Sequence, residues 1–478
     1  MGQEIAISHY SEQDVAEFQR QLRRETAVLM QWFRQDVFAS SEGSSIGMEL
    51  ETWLVDPLFQ PIPANKQFLE RMADPMVVPE LSKYNAEVNV RPYDVAAGCL
   101  HDMRKELQAT WNRIQKTMQD MSGHMLMIGI LPTLKDHMLS LSNLSDMERY
   151  RALNERVLAL RRGKAIQLEI EGHDFLTSQH DDIMLEAATT SFQVHIKPAF
   201  NRIKETFNAG IVISAASVAL AANSPYLFGA DLWDETRITL FEQAVRIPGY
   251  AWLDGRRQER VTFGHDYVRE SLFEIFLDNL DGFPPLLPSV SHEGPEWLNH
   301  VRLQNGTIWR WNRPVIGISR EGHPHLRLEH RVMGAGPTVD DMIANLAFVL
   351  GLCHDLAYAD QDPRDLVPFE DARDNFYNAA RYGLKATVTW RGKTMLMKDL
   401  LLDELLPRAE RGLAQQGISE DEIAYYVKGI LRPRVESGQT GAAWQRAWIG
   451  KHGRDFQGMT AAYYAAQEKA LPVHSWSI

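Results

Sequence analysis

Glu49 and Glu51 stand two residues apart in the stretch IGMELETWLV, residues 46–55. On an extended strand, alternate side chains share a face. Met48, Leu50 and Thr52 then point one way and Glu49, Glu51 and Trp53 the other. Carboxylates about 6.6 to 6.8 Å apart on one face repel by roughly 2 to 3 kcal/mol at an effective dielectric near 20, and a bound cation offsets that repulsion. The same alternation groups Asn85, Glu87 and Asn89 in YNAEVNVRP, Gln167, Glu169 and Glu171 in AIQLEIEG, Gln193 and His195 in TSFQVHIKP, and Arg327, Glu329 and Arg331 in PHLRLEHRV. A sheet wetted on one side produces such alternation without any function. A merely solvated face, however, favours Lys, Thr and mixed charge, whereas Glu49, Glu51, Glu87, His195 and Glu329 are hard ligands for Mg2+ or Mn2+. Arg331 adds a planar fork suited to phosphate. Divalent ions held by carboxylates, with fixed arginines, are what phosphoryl transfer from ATP requires. The sequence has neither a GxxxxGKS/T loop nor a GxGxxG after a strand, so carboxylates on a sheet must do this work.

The elements that position these residues alternate between helix and strand. Ser11 precedes a helical spacing of Val15, Phe18, Leu22, Leu29 and Phe33 and is suited to cap it. A helix is expected over about 97–121, a short apolar strand at HMLMIGILP, and strands at each alternating segment above. From Asp340 onward the pattern is helical with no further alternating strand, and no Gly-, Pro- or Ser-rich linker divides the chain, although DGFPPLLPSVSHEGP is a long loop. The expectation is a catalytic α+β domain over 1–341 and a helical part over 342–478 packed on the same domain.

Composition bounds the partners. With 478 residues, 45% hydrophobic and 24% charged, the chain buries a substantial core. Its formal net charge of -13, with no basic run, argues against nucleic acid. Two cysteines, Cys99 and Cys353, make neither a disulfide framework nor a CxxC site, which suits a reducing compartment. MGQEIAISHYSEQD lacks the basic and apolar order of a signal peptide, and Ala6 breaks the myristoylation pattern. The longest apolar run, residues 209–222, is too short to span a bilayer. A cytoplasmic protein without a membrane partner is expected.

In this order and at these separations, GMELETWLVD, ELSKYNAEVNV, SFQVHIKP, AANSPYLFGADLWDETR and HLRLEHRV resemble the glutamate-cysteine ligase type 2 family of carboxylate-amine ligases, over roughly 46–341. That family shares the glutamine synthetase-like fold. The resemblance implies a curved antiparallel sheet with helices on its outer face and a concave polar face holding ATP at one end and an amino acid at the other. It assigns metal binding to Glu49, Glu51, Glu87, His195 and Glu329, contact with transferring phosphate to Arg331, and a place near substrate to Arg237, after the NSP turn. One departure is Gln193, where the family commonly has histidine; Gln is a poor metal ligand. Lys197 replaces a frequent glycine and falls at the nucleotide end.

The reaction implied is ATP-dependent joining of an amino-acid carboxylate, the γ-carboxylate of glutamate by the resemblance, to an amine such as cysteine. A guanidino kinase of the same fold and a non-catalytic sensor of nucleotide or amino acid are the alternatives. In GTIWRWNRP, Trp309 and Trp311 interleave with Arg310 and Arg313; Arg310 is a nucleotide-binding candidate, and arginine on tryptophan is also a common structural pair. His323 and His325 read as surface residues, and the charged C-terminal helices as a solvated face or a contact between subunits of a homo-oligomer.

Overall fold

The computed structural model describes residue 5 and residues 9–40, 43–247, 259–319 and 322–478. Half of the N-terminal segment read above for signal and myristoylation patterns, Ala6 included, lies outside these residues. Seven antiparallel strands form a curled half-barrel sheet: β1 (Ser45–Val55), β2 (Val77–Pro79), β3 (Asn85–Asp94), β4 (His124–Leu126), β5 (Ser191–Lys197), β6 (Asn312–Ile318) and β7 (Pro324–Gly334). Their order is β6-β7-β5-β1-β3-β2, with β4 pairing on β1 beyond the end of β5.

The helices that matter for the site are α1 (Glu12–Arg34), α2 (Cys99–Asp120), α3 (Ile203–Ala221), α4 (Arg237–Ala244), α5 (Val339–Ala357) and α6 (Phe369–Tyr382). Ser11 caps α1 through a reciprocal pair with Asp14, which satisfies two otherwise orphaned donors. The apolar face of the sheet, with Met48, Leu50, Val88, Val194, Ile196 and Leu328 all buried, is the face that helices cover. Behind β6 and β7, α3 comes so close that a Cβ on Gly210 would stand 2.8 Å from Leu328 Cδ2 and 2.9 Å from Asn312 Oδ1. The segment 200–221 is long and apolar enough to cross a membrane, but 89% of its apolar window is buried in this core. Both cysteines are buried and free.

Three expectations are corrected. AIQLEIEG is a strand, Ile166–Glu171, but it pairs only with Phe175–His180, and Glu169 and Glu171 are exposed there. A hairpin, Thr387–Trp390 with Lys393–Leu396, interrupts the helical C-terminal part. Strand β6 was not anticipated, because Pro314 and Gly317 disguise it; as the edge strand of the sheet it tolerates a residue without an N–H. Helix α5 runs through 341/342 and packs on α3 and on β5.

Candidate active site

Strand register turns the separate motifs into rows across the uncovered face. Glu51 stands opposite Glu87 of β3. Glu49 lies between Asn89 of β3 and Gln193 of β5. Gly47 pairs with His195, His195 with Glu329 of β7, and Glu329 with Arg313 of β6. Beyond His330 the ladder shifts register before Met333, and a bulge of this kind re-aims side chains; Arg331 here still reaches Glu329, with Nη1 donating to Oε1 at 3.3 Å.

One end of the face is rich in paired charge. Arg313 Nη2 donates to Glu329 Oε2 at 2.7 Å. Burial pushes the Glu329 carboxyl up, but Arg313, Arg331 and His195 outweigh it and hold the pKa at about 2. Burial likewise raises Glu49, and His195 and Arg327 more than reverse it, leaving Glu49 well below the carboxylate range. Arg327 Nε donates to His195 Nδ1 at 3.1 Å. On the other side of the ring, His195 Nε2 lies 3.3 Å from Glu49 Oε1.

The other end has carboxylates in excess. Glu51 accepts from the Ser191 N–H at 2.6 Å and from Gln193 Nε2 at 3.1 Å, yet burial still raises its pKa. Gln193 therefore has a structural task, spending its amide on Glu51. Glu87 accepts from Asn89 Nδ2 at 2.7 Å, and burial plus repulsion from Glu49 move it up to about 7. Glu80, in the loop after β2, is driven well up by burial and by Glu87, Glu51 and Glu186. Glu186, on the 3-10 helix Ile183–Ala188, is raised to about 8 by burial and then Glu51.

This donor set fits a hard divalent cation in chemistry: oxygen ligands that destabilise one another without a counter-charge. It is not a preassembled cage, since among the described residues no three His, Cys, Asp or Glu side chains converge on one metal position. Within the expected set, Glu49, Glu51 and Glu87 are the better suited. As placed, His195 Nδ1 is engaged by Arg327, and both Glu329 oxygens accept from arginines.

The remaining expected residues lie behind or beside the rows. Arg237 is only 2% exposed; it donates from Nε to Glu235 Oε1 at 3.1 Å and from Nη2 to the Val332 carbonyl at 2.5 Å. Arg310 is buried and donates from Nη2 to Asn279 Oδ1 at 3.2 Å, near Asp278 and the Phe283 ring. Lys197 ends β5 opposite Ser45, on the side of the paired charges. His323 is exposed, but His325 is half-buried, and burial with Arg327 and Lys197 lowers its pKa to about 4.

Sequence reasoning missed Glu80, Glu186 and Arg313 as members of the site and left Arg327 without a task. Glu80 opens the motif ELSKYNAEVNV, and Arg327 shares the alternation of Glu329, so both had a signal. Glu186 sits on a six-residue 3-10 helix, Ile183–Ala188, too short for a periodicity to mark which way a side chain points.

Solved structures of similar fold include a glutamate–cysteine ligase from Francisella tularensis in complex with AMP, at TM-score 0.51 and 12% identity, covering 92% of this chain and 96% of that one. A bifunctional glutathione synthetase from Pasteurella multocida aligns at TM-score 0.55 and 11% identity over 91% of this chain, which spans 53% of that protein. No curated protein matches the chain. The model of glutamate-cysteine ligase family 2 matches residues 45–463. Because that match covers most of the chain, the chain belongs to glutamate-cysteine ligase family 2, a family of carboxylate-amine ligases.

Proposed function

We propose that the protein uses ATP to join the γ-carboxylate of glutamate, or of a closely related acid, to an amine through an acyl phosphate. The observation that supports this most is the division of one face into an end of mutually repelling carboxylates and an end where arginines outnumber carboxylates. Glu51, Glu80 and Glu87, with Glu49 between the ends, would hold Mg2+ or Mn2+. When bound, the ion would neutralise phosphate oxygens and draw charge from the γ-phosphorus.

The chain's own groups do the rest. A carboxylate oxygen of the acid attacks the γ-phosphorus, the bond to the bridging oxygen breaks, and ADP departs. Arg331, anchored on Glu329 at 3.3 Å, carries a fixed planar charge for the equatorial oxygens as the transfer proceeds. The amine nitrogen then attacks the acyl carbon, inorganic phosphate leaves with the oxygen it took from the acid, and an amide remains. Lys197, on the side of the paired charges, belongs with the nucleotide in this reading, whereas Arg310, buried against Asn279, would shape that end from behind. The substrates are small molecules, an amino acid and an amine.

The test follows one atom. With glutamate labelled with heavy oxygen in the γ-carboxylate, ATP and an amine acceptor, one labelled oxygen should appear in inorganic phosphate per amide formed. Amide formation with unlabelled phosphate would exclude the acyl phosphate.

A further inference from the structure

The backbone of Arg331 is held from both sides by buried groups that lead away from the site. Its N–H donates to the Trp311 carbonyl at 3.1 Å. Its own carbonyl lies 3.5 Å from Arg237 Nη2, which also donates to the carbonyl of Val332 at 2.5 Å. The Arg237 guanidinium lies 5.4 Å from the Trp311 ring centroid, and Glu235, fully buried, fixes its Nε. The Arg331 guanidinium in turn lies 5.6 Å from the centroid of Phe241, which meets the Trp311 ring edge-on at 5.9 Å.

Trp311 is itself tethered. Its indole N–H donates to Glu242 Oε1 at 2.9 Å, and the same oxygen accepts from the Tyr377 hydroxyl at 2.8 Å. Arg237, Phe241 and Glu242 all belong to α4, while Tyr377 comes from α6, in the C-terminal helical part. Phe376, beside it, packs its ring 5.8 Å from Trp311.

We infer that Glu242 and Tyr377 are positioning residues: through Trp311 they lock the bulge that aims Arg331, so the C-terminal helices set the geometry of phosphoryl transfer. Arg237 joins them as a support for the Arg331 backbone. The assignment rests on the reading of Arg331 given above. A displaced Arg331 still binds a nucleotide held by other groups but meets the transition state badly, so the signature is a loss in kcat without a change in KM.

Tyr377→Phe removes one hydroxyl and no packing volume. Hydroxamate formation from glutamate, Mg-ATP and hydroxylamine should show kcat reduced about three- to tenfold, the range for one hydrogen bond, with KM for ATP and glutamate unchanged and the thermal midpoint lowered by no more than a few degrees. Glu242→Gln, which keeps an acceptor oxygen for both donors, should stay closer to the parent than Glu242→Ala. Arg331→Lys should lose about a hundredfold or more in kcat, and adding Tyr377→Phe should take it no lower. Full kcat in Tyr377→Phe, or losses that simply multiply in the double variant, would overturn the inference while Arg331→Lys still confirms the transfer role. Full kcat in Arg331→Lys would overturn both.

Discussion

The carboxylates of the acidic end carry opposite demands before and after a cation arrives, which fixes how the protein responds to pH. Glu87 and Glu186 have folded pKa values of about 7 and about 8, against an ordinary carboxyl value near 4.5. Between those limits the folded chain binds more protons than the unfolded one, so these groups make stability fall as pH rises. The buried histidines act in the reverse sense: His330, at about 3, and His325, at about 4, give stability that is lost as pH drops from about 6.5 through those values. Above about 6.5 both histidines are neutral in either state, so the carboxylates dominate. Thermal unfolding in chelator should therefore show a midpoint that declines from about pH 6.5 to 8, and added Mg2+ or Mn2+ should recover it. Glu87→Gln should flatten the decline, leave the fold as stable or more so at pH 8, and abolish turnover. An unfolded Glu87→Gln variant, or one with full activity, would contradict the shared-face reading.

At the scale of elements, the site depends on how closely helices approach the apolar face. Gly210 lets α3 lie against β6 and β7, where even a methyl would meet Leu328 and Asn312 at under 3 Å. Asn312 is not free to yield, because its Oδ1 accepts from His330 Nδ1 at 2.7 Å and its Nδ2 donates to Ser214 Oγ at 2.8 Å. Gly210→Ala should thus destabilise by about 1 to 3 kcal/mol, measured by urea unfolding, despite the better helix propensity of alanine. An unchanged midpoint would mean that the helix seat is softer than its packing. The same packing explains what the sequence revealed. Alternating strands were legible because one face is covered by helices and the other is not, and that alone placed Glu49, Glu51, Glu87, His195 and Glu329 on a common surface. Register was not legible: nothing in HLRLEHRV says that Glu329 will oppose His195, or that a bulge will follow. Residues delivered by a loop or a short 3-10 helix, such as Glu80 and Glu186, and by the proline-bearing edge strand, such as Arg313, carried no periodic mark. That Arg331 meets Glu329 while Arg237 meets the Val332 carbonyl is also a matter of tertiary packing that no spacing encodes.

Across the whole molecule, a continuous core runs from Ile5 to Trp476, and the C-terminal part is joined to it by charge as well as apolar packing. Arg434 Nη2 meets Asp341 Oδ1 at 2.7 Å with both side chains fully buried, and the same carboxylate accepts from the N–H of Val473 at 3.0 Å. This arrangement fixes α5 behind the sheet, while α6 brings Tyr377 to Glu242. The elements behind the polar face are thereby tied to the C-terminal helices. If a carboxylate is activated at the expense of ATP, as proposed, that activation is separable from the choice of amine. The most direct test supplies hydroxylamine, a small strong nucleophile, with Mg-ATP and glutamate, and then with other amino acids as the acid. Activation of the carboxylate predicts a hydroxamate, with ADP and inorganic phosphate formed in equal amounts to it. A phosphorylated guanidine in place of hydroxamate, or nucleotide binding without turnover across the full panel of acids by folded, metal-loaded protein, would contradict it.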